Sequence, residues 1–116
     1  VRRVSLISDQ LGYDVVAPRI GAPPRLLEVK ATSANSEALV YLSRAEADAG
    51  SRLEDWALVV CEVQDIAHRT GTIVGWCQRL DVEDLLPVDV PGSRWQSVAI
   101  EIKRLGLQPG LPRPTA

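Results

Sequence analysis

Gly12-Tyr13-Asp14-Val15-Val16 and Leu26-Leu27-Glu28-Val29-Lys30 are the two stretches on which the fold turns. Each reads as a β-strand carrying an ionisable group among apolar neighbours. Glu28 and Lys30 stand two apart, so on a strand they leave one face while Leu27 and Val29 leave the other. Gly21-Ala22-Pro23-Pro24 lies between the segments and suits a reversal. That reversal would bring Asp14 beside Glu28 on a neighbouring strand. Two carboxylates and an ammonium on one face make a site for a divalent ion and a phosphodiester.

Working outward, Ala38-Leu39-Val40-Tyr41-Leu42 predicts a short strand entered through the polar turn Ser33-Ala34-Asn35-Ser36. Ser43 has Glu46 three residues on, a capping-box pattern for a helix over 44–53. Ala45, Ala49 and Leu53 give that helix a narrow apolar stripe suited to lying close on a sheet. Trp56 through Val63 is the strongest strand candidate and is expected to be central. Ile66 to Gly71 reads as a connection, and Thr72 to Cys77 as a further strand despite Gly75. Asp81 to Leu86 predicts a helical turn stopped by Pro87, and Ser93 to Ile102 a last strand. The expectation is one α/β domain over residues 1–105, followed by a proline-rich tail over 106–116.

The 116 residues suffice for one domain with its own core, and a hydrophobic content of 46% argues against disorder. With no Phe or Met, that core must come from Leu, Val, Ile, Ala and three Trp. No apolar run approaches the roughly 20 residues that span a bilayer, and Val1 in place of Met reads as a trimmed or excised chain. A net charge of −2 disfavours a surface that grips nucleic acid all over, although Arg2, Arg3, Arg19, Arg25, Lys30, Lys103 and Arg104 could converge locally. Cys61 sits in an apolar run, so it and Cys77 read as reduced thiols of a cytoplasmic protein. One His and no close CxxC pair make a structural zinc site improbable.

At the ionisable cluster, Asp14 and Glu28 can hold Mg²⁺ or Mn²⁺, hard ions that favour oxygen donors and phosphate. Val29, between Glu28 and Lys30, can add its carbonyl oxygen as a third ligand. Lys30 can orient the attacking water or stabilise the transition state. The plainer alternative is a solvated strand face, where opposite charges contribute only about a few tenths of a kcal/mol. Other residues carry similar pairs of readings. Tyr13 reads as core, Glu46 as the capping partner of Ser43 or as a residue near the active face, and His68 as exposed. Gln10 and Gln64 are polar strand ends or phosphate contacts. Trp56, Trp76 and Trp95 favour burial, with base stacking as the alternative.

The segments Gly12 to Ala17, Leu26 to Thr32 and Leu42 to Glu46, followed by the strand from Trp56, resemble the family of the C-terminal domain of the plant protein NO VEIN. The order GYD, then ExK, then Leu-Ser-x-x-Glu before a helix is much more specific than ExK alone. The resemblance implies a restriction-endonuclease-like PD-(D/E)xK core, a mixed central sheet flanked by helices. It implies Asp14 and Glu28 as metal-binding acids and Lys30 as the catalytic lysine. A preceding helix often adds another acid in that fold, and this chain starts too late to hold it, so the N-terminal helix is expected to be missing. Family members occur as modules of larger proteins, including restriction and helicase-linked ones. The expected function is metal-dependent DNA cleavage within a restriction, defence or repair protein, with DNA and the other domains of a parent protein as partners. No membrane partner is expected, and oligomerisation stays open. The alternatives are a non-catalytic nucleic-acid-binding module and a protein-interaction module of the same fold.

Overall fold

Trp56-Ala57-Leu58-Val59-Val60 is buried on both sides of its strand, with no residue above 2% exposure. A run of that kind fits an interior strand with cover on each face. The computed structural model of the protein describes residues 2–3, 12–33, 39–65, 67–68, 70–78 and 84–113. Its strands in chain order are β1 (Arg2–Arg3), β2 (Val15–Arg19), β3 (Ala22–Ser33), β4 (Leu39–Ser43), β5 (Trp56–Asp65), β6 (Thr70–Gln78) and β7 (Ser97–Glu101). One helix, α1 (Arg44–Arg52), follows β4 directly.

The main sheet has the order β1-β2-β3-β5-β6, and β4 pairs with β7 in a second, two-stranded sheet. β3 and β5 run parallel while their other neighbours are antiparallel, so the main sheet is mixed. A parallel pair needs a crossover, and β4 with α1 supplies it. The chain is therefore an α/β domain, as expected, with β5 interior and β3 at the middle of the sheet. The expected flanking by helices is corrected. Among the described residues one α-helix covers the sheet, and the β4–β7 pair takes the remaining cover by burying Val40, Leu42 and Ile100.

The main core lies between that cover and the β5 face formed by Trp56, Leu58 and Val60. On the opposite face Ala57, Val59 and Trp76 form a smaller cluster with Leu27 and Cys61. Cys61 and Cys77 thus belong to clusters on opposite faces of the sheet.

Several boundaries shift from the sequence expectation. β2 starts at Val15, so Asp14 precedes the strand in a bend and does not lie within it. The reversal between β2 and β3 is tighter than Gly21–Pro24, because Arg19 already pairs with Ala22. Pro23 and Pro24 are tolerated inside β3 because pairing with β5 begins only at Leu26. On α1 the buried residues are Ala47, Ala49 and Gly50, whereas Ala45 is exposed. The helix rests through its last turns on Trp56, and a Cβ at Gly50 would lie 3.2 Å from that ring. Thr70 and Gly71 belong to β6, and Ser93–Gln96 do not join β7, since Arg44 and Asp89 hold Trp95 and Gln96 as a loop. Ala38, Asp81–Glu83 and the turn at Ala34–Ser36 lie outside the described residues.

Candidate active site

β3 carries the site because its two edges end differently. On one edge β5 pairs with it from Leu26 to Ser33, but on the other β2 pairs only as far as Leu27. Beyond Leu27 that edge would present unpaired backbone groups. Asp14 meets them: its N–H donates to the Leu27 carbonyl at 2.7 Å, and its carboxylate accepts from the Val29 N–H at 2.9 Å. In a strand the N–H and C=O of one residue leave along the same edge, so the Val29 carbonyl emerges beside Asp14.

Glu28 and Lys30 leave β3 together on the face that packs beneath α1, their register partners being Leu58 and Val60 of the main core. Glu28 is 2% exposed, the one buried charged residue among those described. The Lys30 ammonium lies 3.4 Å from Glu28 Oε1. It also donates to Glu46 Oε1 at 2.9 Å and Oε2 at 3.0 Å. Glu46 is fixed in turn by the capping box of α1: its Oε1 accepts from the Ser43 N–H at 2.8 Å, and its own N–H donates to Ser43 Oγ.

Two carboxyls beside one ammonium, with the Asp14 charge bearing on Glu28, cannot all ionise cheaply out of water. Burial, the adjoining Glu46 carboxyl and the Asp14 charge push Glu28 up to about 9, against the opposing pull of Lys30. Burial would raise Glu46 as well, but bonds from Glu28, the Ser43 N–H and Lys30 outweigh it and hold Glu46 low. The pair therefore shares one proton. Burial favours it on Glu28, the deeper of the two at 3% side-chain exposure against 18%. Lys30 loses charge stabilisation to burial and regains more from Glu46 and Glu28, so its affinity for a proton is raised.

Asp14, Glu28 and Lys30, singled out from the sequence, are thus brought together. Glu46 joins them; its capping role was legible, its second bond to Lys30 was not. Among the described residues no group of three or more His, Cys, Asp or Glu is arranged to hold a metal ion. The donors at hand are the carboxylates of Asp14 and Glu28 and the Val29 carbonyl, all hard oxygens. They suit Mg²⁺ or Mn²⁺ only with water and substrate phosphate completing the shell. A divalent ion there would have to displace the proton that burial favours on Glu28.

Other candidates fall elsewhere. Tyr13 packs against the main core. Trp56 is buried with its Nε1–H donating to the Gly12 carbonyl at 3.0 Å. The guanidinium of Arg25 lies over Trp76 at 5.3 Å, and that of Arg44 over Trp95 at 4.8 Å. His68 is exposed and pairs with Asp65, Gln64 is exposed beside Thr72, and Gln10 lies outside the described residues. Arg19 pairs with Asp55 near Arg25 on the β2–β3 hairpin, while Lys103 follows β7 and pairs with Glu101.

Comparison with known proteins adds one finding: the family described as protein NO VEIN, C-terminal, matches residues 1–74. The chain belongs to that family. The matched span contains Asp14, Glu28, Lys30, Ser43 and Glu46, together with every strand that positions them. No curated protein and no solved structure matches the chain. No helix among the described residues is long and apolar enough to cross a membrane.

Proposed function

We propose that this NO VEIN C-terminal domain is a phosphodiester-cleaving module of the PD-(D/E)xK type. It acts on DNA with Mg²⁺ or Mn²⁺ as part of a larger restriction, defence or repair protein. The observation that carries the reading is the Asp14 carboxylate bound to the Val29 N–H, at the strand edge where Glu28 and Lys30 share one face. Asp14, Glu28 and the Val29 carbonyl would hold the ion, which when bound offsets charge on the phosphoryl oxygens and acidifies a water. Glu28 must give up its proton for that role. Lys30, with 21% of its side chain exposed, stays within reach of a phosphate and stabilises charge developing on it. The free Cys61 thiol suits a reducing compartment such as the cytoplasm.

A time course on plasmid and single-stranded DNA, with divalent metal or EDTA, tests the reading. Wild type should cleave only with metal. Lys30→Ala should lose at least about 100-fold in rate, the order seen when one transition-state donor is removed, while keeping most DNA binding. Equal cleavage by both proteins would remove Lys30 from the mechanism. The second reading, a binding module without turnover, is favoured by the burial of Glu28, which raises its proton affinity, and by the ion pair of Lys30 with Glu46. It predicts DNA binding with no cleavage by wild type.

A further inference from the structure

The sheet face turned away from Glu28 and Lys30 is left partly open. On it Val15, Ala17 and Leu27 of the β2–β3 hairpin face Leu111 and Pro112 of the C-terminal segment across a cavity of about 310 Å³. Leu111 is 56% exposed, so the segment bridges the cavity without filling it. That space equals the volume of about ten waters. It falls at the lower end of the range for small-molecule sites, whose walls are likewise apolar with a few polar groups. The charged side chains in this lining are all arginines: Arg19, Arg25 and Arg113.

Guanidiniums gathered at one opening repel each other, and the chain as a whole carries −2, so the cluster is no by-product of a basic surface. Arg19 is occupied locally: it pairs with Asp55, and its Nε donates to the Pro23 carbonyl at 2.8 Å. Arg25 is held differently. Its Nε donates to the Arg113 carbonyl at 3.3 Å, and its Cζ lies over the Trp76 ring, 5.3 Å from the centroid. A carbonyl and a ring fix a guanidinium without neutralising it. Burial and the Arg19 charge disfavour the Arg25 cation by more than Asp55 restores, a cost that an anion in the cavity would relieve.

We propose that this cavity is a binding site for a small amphipathic carboxylate, with an uncharged apolar body between Ala17, Leu27 and Leu111 and its carboxylate on the guanidinium of Arg25. The planar fork of a guanidinium matches the two oxygens of a carboxylate, and apolar surroundings strengthen such a pair. Arg113, exposed at the rim, adds positive charge that draws an anion in. A DNA backbone would gain its phosphate contacts but nothing from the apolar wall, which is why the occupant is a small organic anion. The site stands apart from the phosphodiester reading, since it opens on the other face of β3 and uses none of Asp14, Glu28 or Lys30.

The test titrates the whole ¹⁵N-labelled chain, at neutral pH, with octanoate, octanol and octyltrimethylammonium, three probes that share a chain and differ in head charge. Octanoate should shift the amide signals of Val15, Ala17, Leu27 and Leu111. It should bind at least about tenfold more tightly than octanol, the order that one hydrogen bond between charged groups contributes. Octyltrimethylammonium should bind least. Arg25→Gln should bring octanoate down to the affinity of octanol and leave octanol unchanged, whereas Ala17→Phe, which fills the cavity, should abolish binding of both. Equal affinity for the three probes, or octanoate shifts that miss the cavity, would overturn the proposal. Should either variant fail to fold, the ranking and the shift map of the probes on wild type decide alone. A DNA duplex is the last arm. If it shifts the side-chain signals of Arg25 and Arg113 while octanoate does not bind, the arginines belong to a nucleic-acid surface and the proposal falls.

Discussion

A carboxyl that keeps its proton at neutral pH leaves a signature in the pH dependence of stability. Glu28 has an ordinary value near 4.5 and is raised to about 9 by burial and by the Glu46 and Asp14 carboxyls. Between those limits the folded chain holds a proton that the unfolded chain has released. The contribution is complete below about 4.5 and is lost as pH rises through about 9. Glu46, held low, acts in the opposite sense and in the acid range: its contribution disappears as pH falls through its lowered value. Stability should therefore decline on the alkaline side in wild type and much less in Glu28→Gln, whose amide imitates the protonated acid. Thermal midpoints measured from pH 5 to about 9 decide this. A difference of only 1 kcal/mol moves the midpoint of a domain near this size by about 4–8 °C. Parallel curves would show that the proton is not on Glu28. The placement of Glu28 beside Lys30 was legible at this scale because period-two alternation alone puts them on one face; the place of Asp14, in a bend ahead of β2, was not. The bond between Glu46 and Lys30 was not, because Ser-x-x-Glu fixes where the Glu backbone sits but not what else its second oxygen meets.

α1 and the segment ahead of β2 meet where neither has room to spare. Gly12 has φ +79°, and a Cβ there would lie 2.5 Å from the Ala49 Cβ and 2.6 Å from the Ala45 carbonyl. The Gly12 carbonyl also accepts the Trp56 indole N–H. Gly12→Ala should accordingly cost about 2 kcal/mol or more, from the left-handed backbone and from overpacking. Denaturant midpoints for wild type and variant check it, and an unchanged midpoint would show that Gly12 can leave the helix without penalty. Asp14 is two residues on, so the variant should also loosen its bond to Val29. The capping box, helix and β5 run could be read in advance because they rest on local pattern. The choice of Ala47 over Ala45 as the buried residue could not. Two alanines differ in burial only through the angle at which α1 settles on Trp56, and that angle is fixed by Gly12 and Gly50, residues without side chains to announce it.

Assembly of the whole molecule depends on pairings between distant segments, and here sequence pattern is weakest. β3 and β5 are joined in parallel, and β4 finds β7 from Leu39↔Glu101 to Ser43↔Ser97. Alternation identifies such strands but carries no address for a partner across the chain. The same holds for the proline-rich C-terminal segment. Gln108 returns to the outer edge of β6, where it donates to the Trp76 carbonyl at 2.8 Å and accepts from the Trp76 N–H at 2.9 Å. Gly75 makes that approach feasible, since a Cβ there would run into the Gln108 carbonyl. Leu107 packs on the main core, and Leu111 and Pro112 line a cavity of about 310 Å³ with Val15, Ala17 and Leu27 on the opposite face of the sheet. Removing residues 106–116 would leave Leu105 in the core but strip β6 of its edge partner. Two backbone hydrogen bonds at roughly 1 kcal/mol each, with the apolar area of Leu107 at about 1–2 kcal/mol, set the expected loss at roughly 3–4 kcal/mol. An uncovered edge strand also recruits other chains. The truncated protein should therefore melt earlier and show light scattering that grows with concentration, while the full chain does not. Equal midpoints and equal scattering would mean that the return of Gln108 to β6 contributes nothing and that the domain is complete at Leu105.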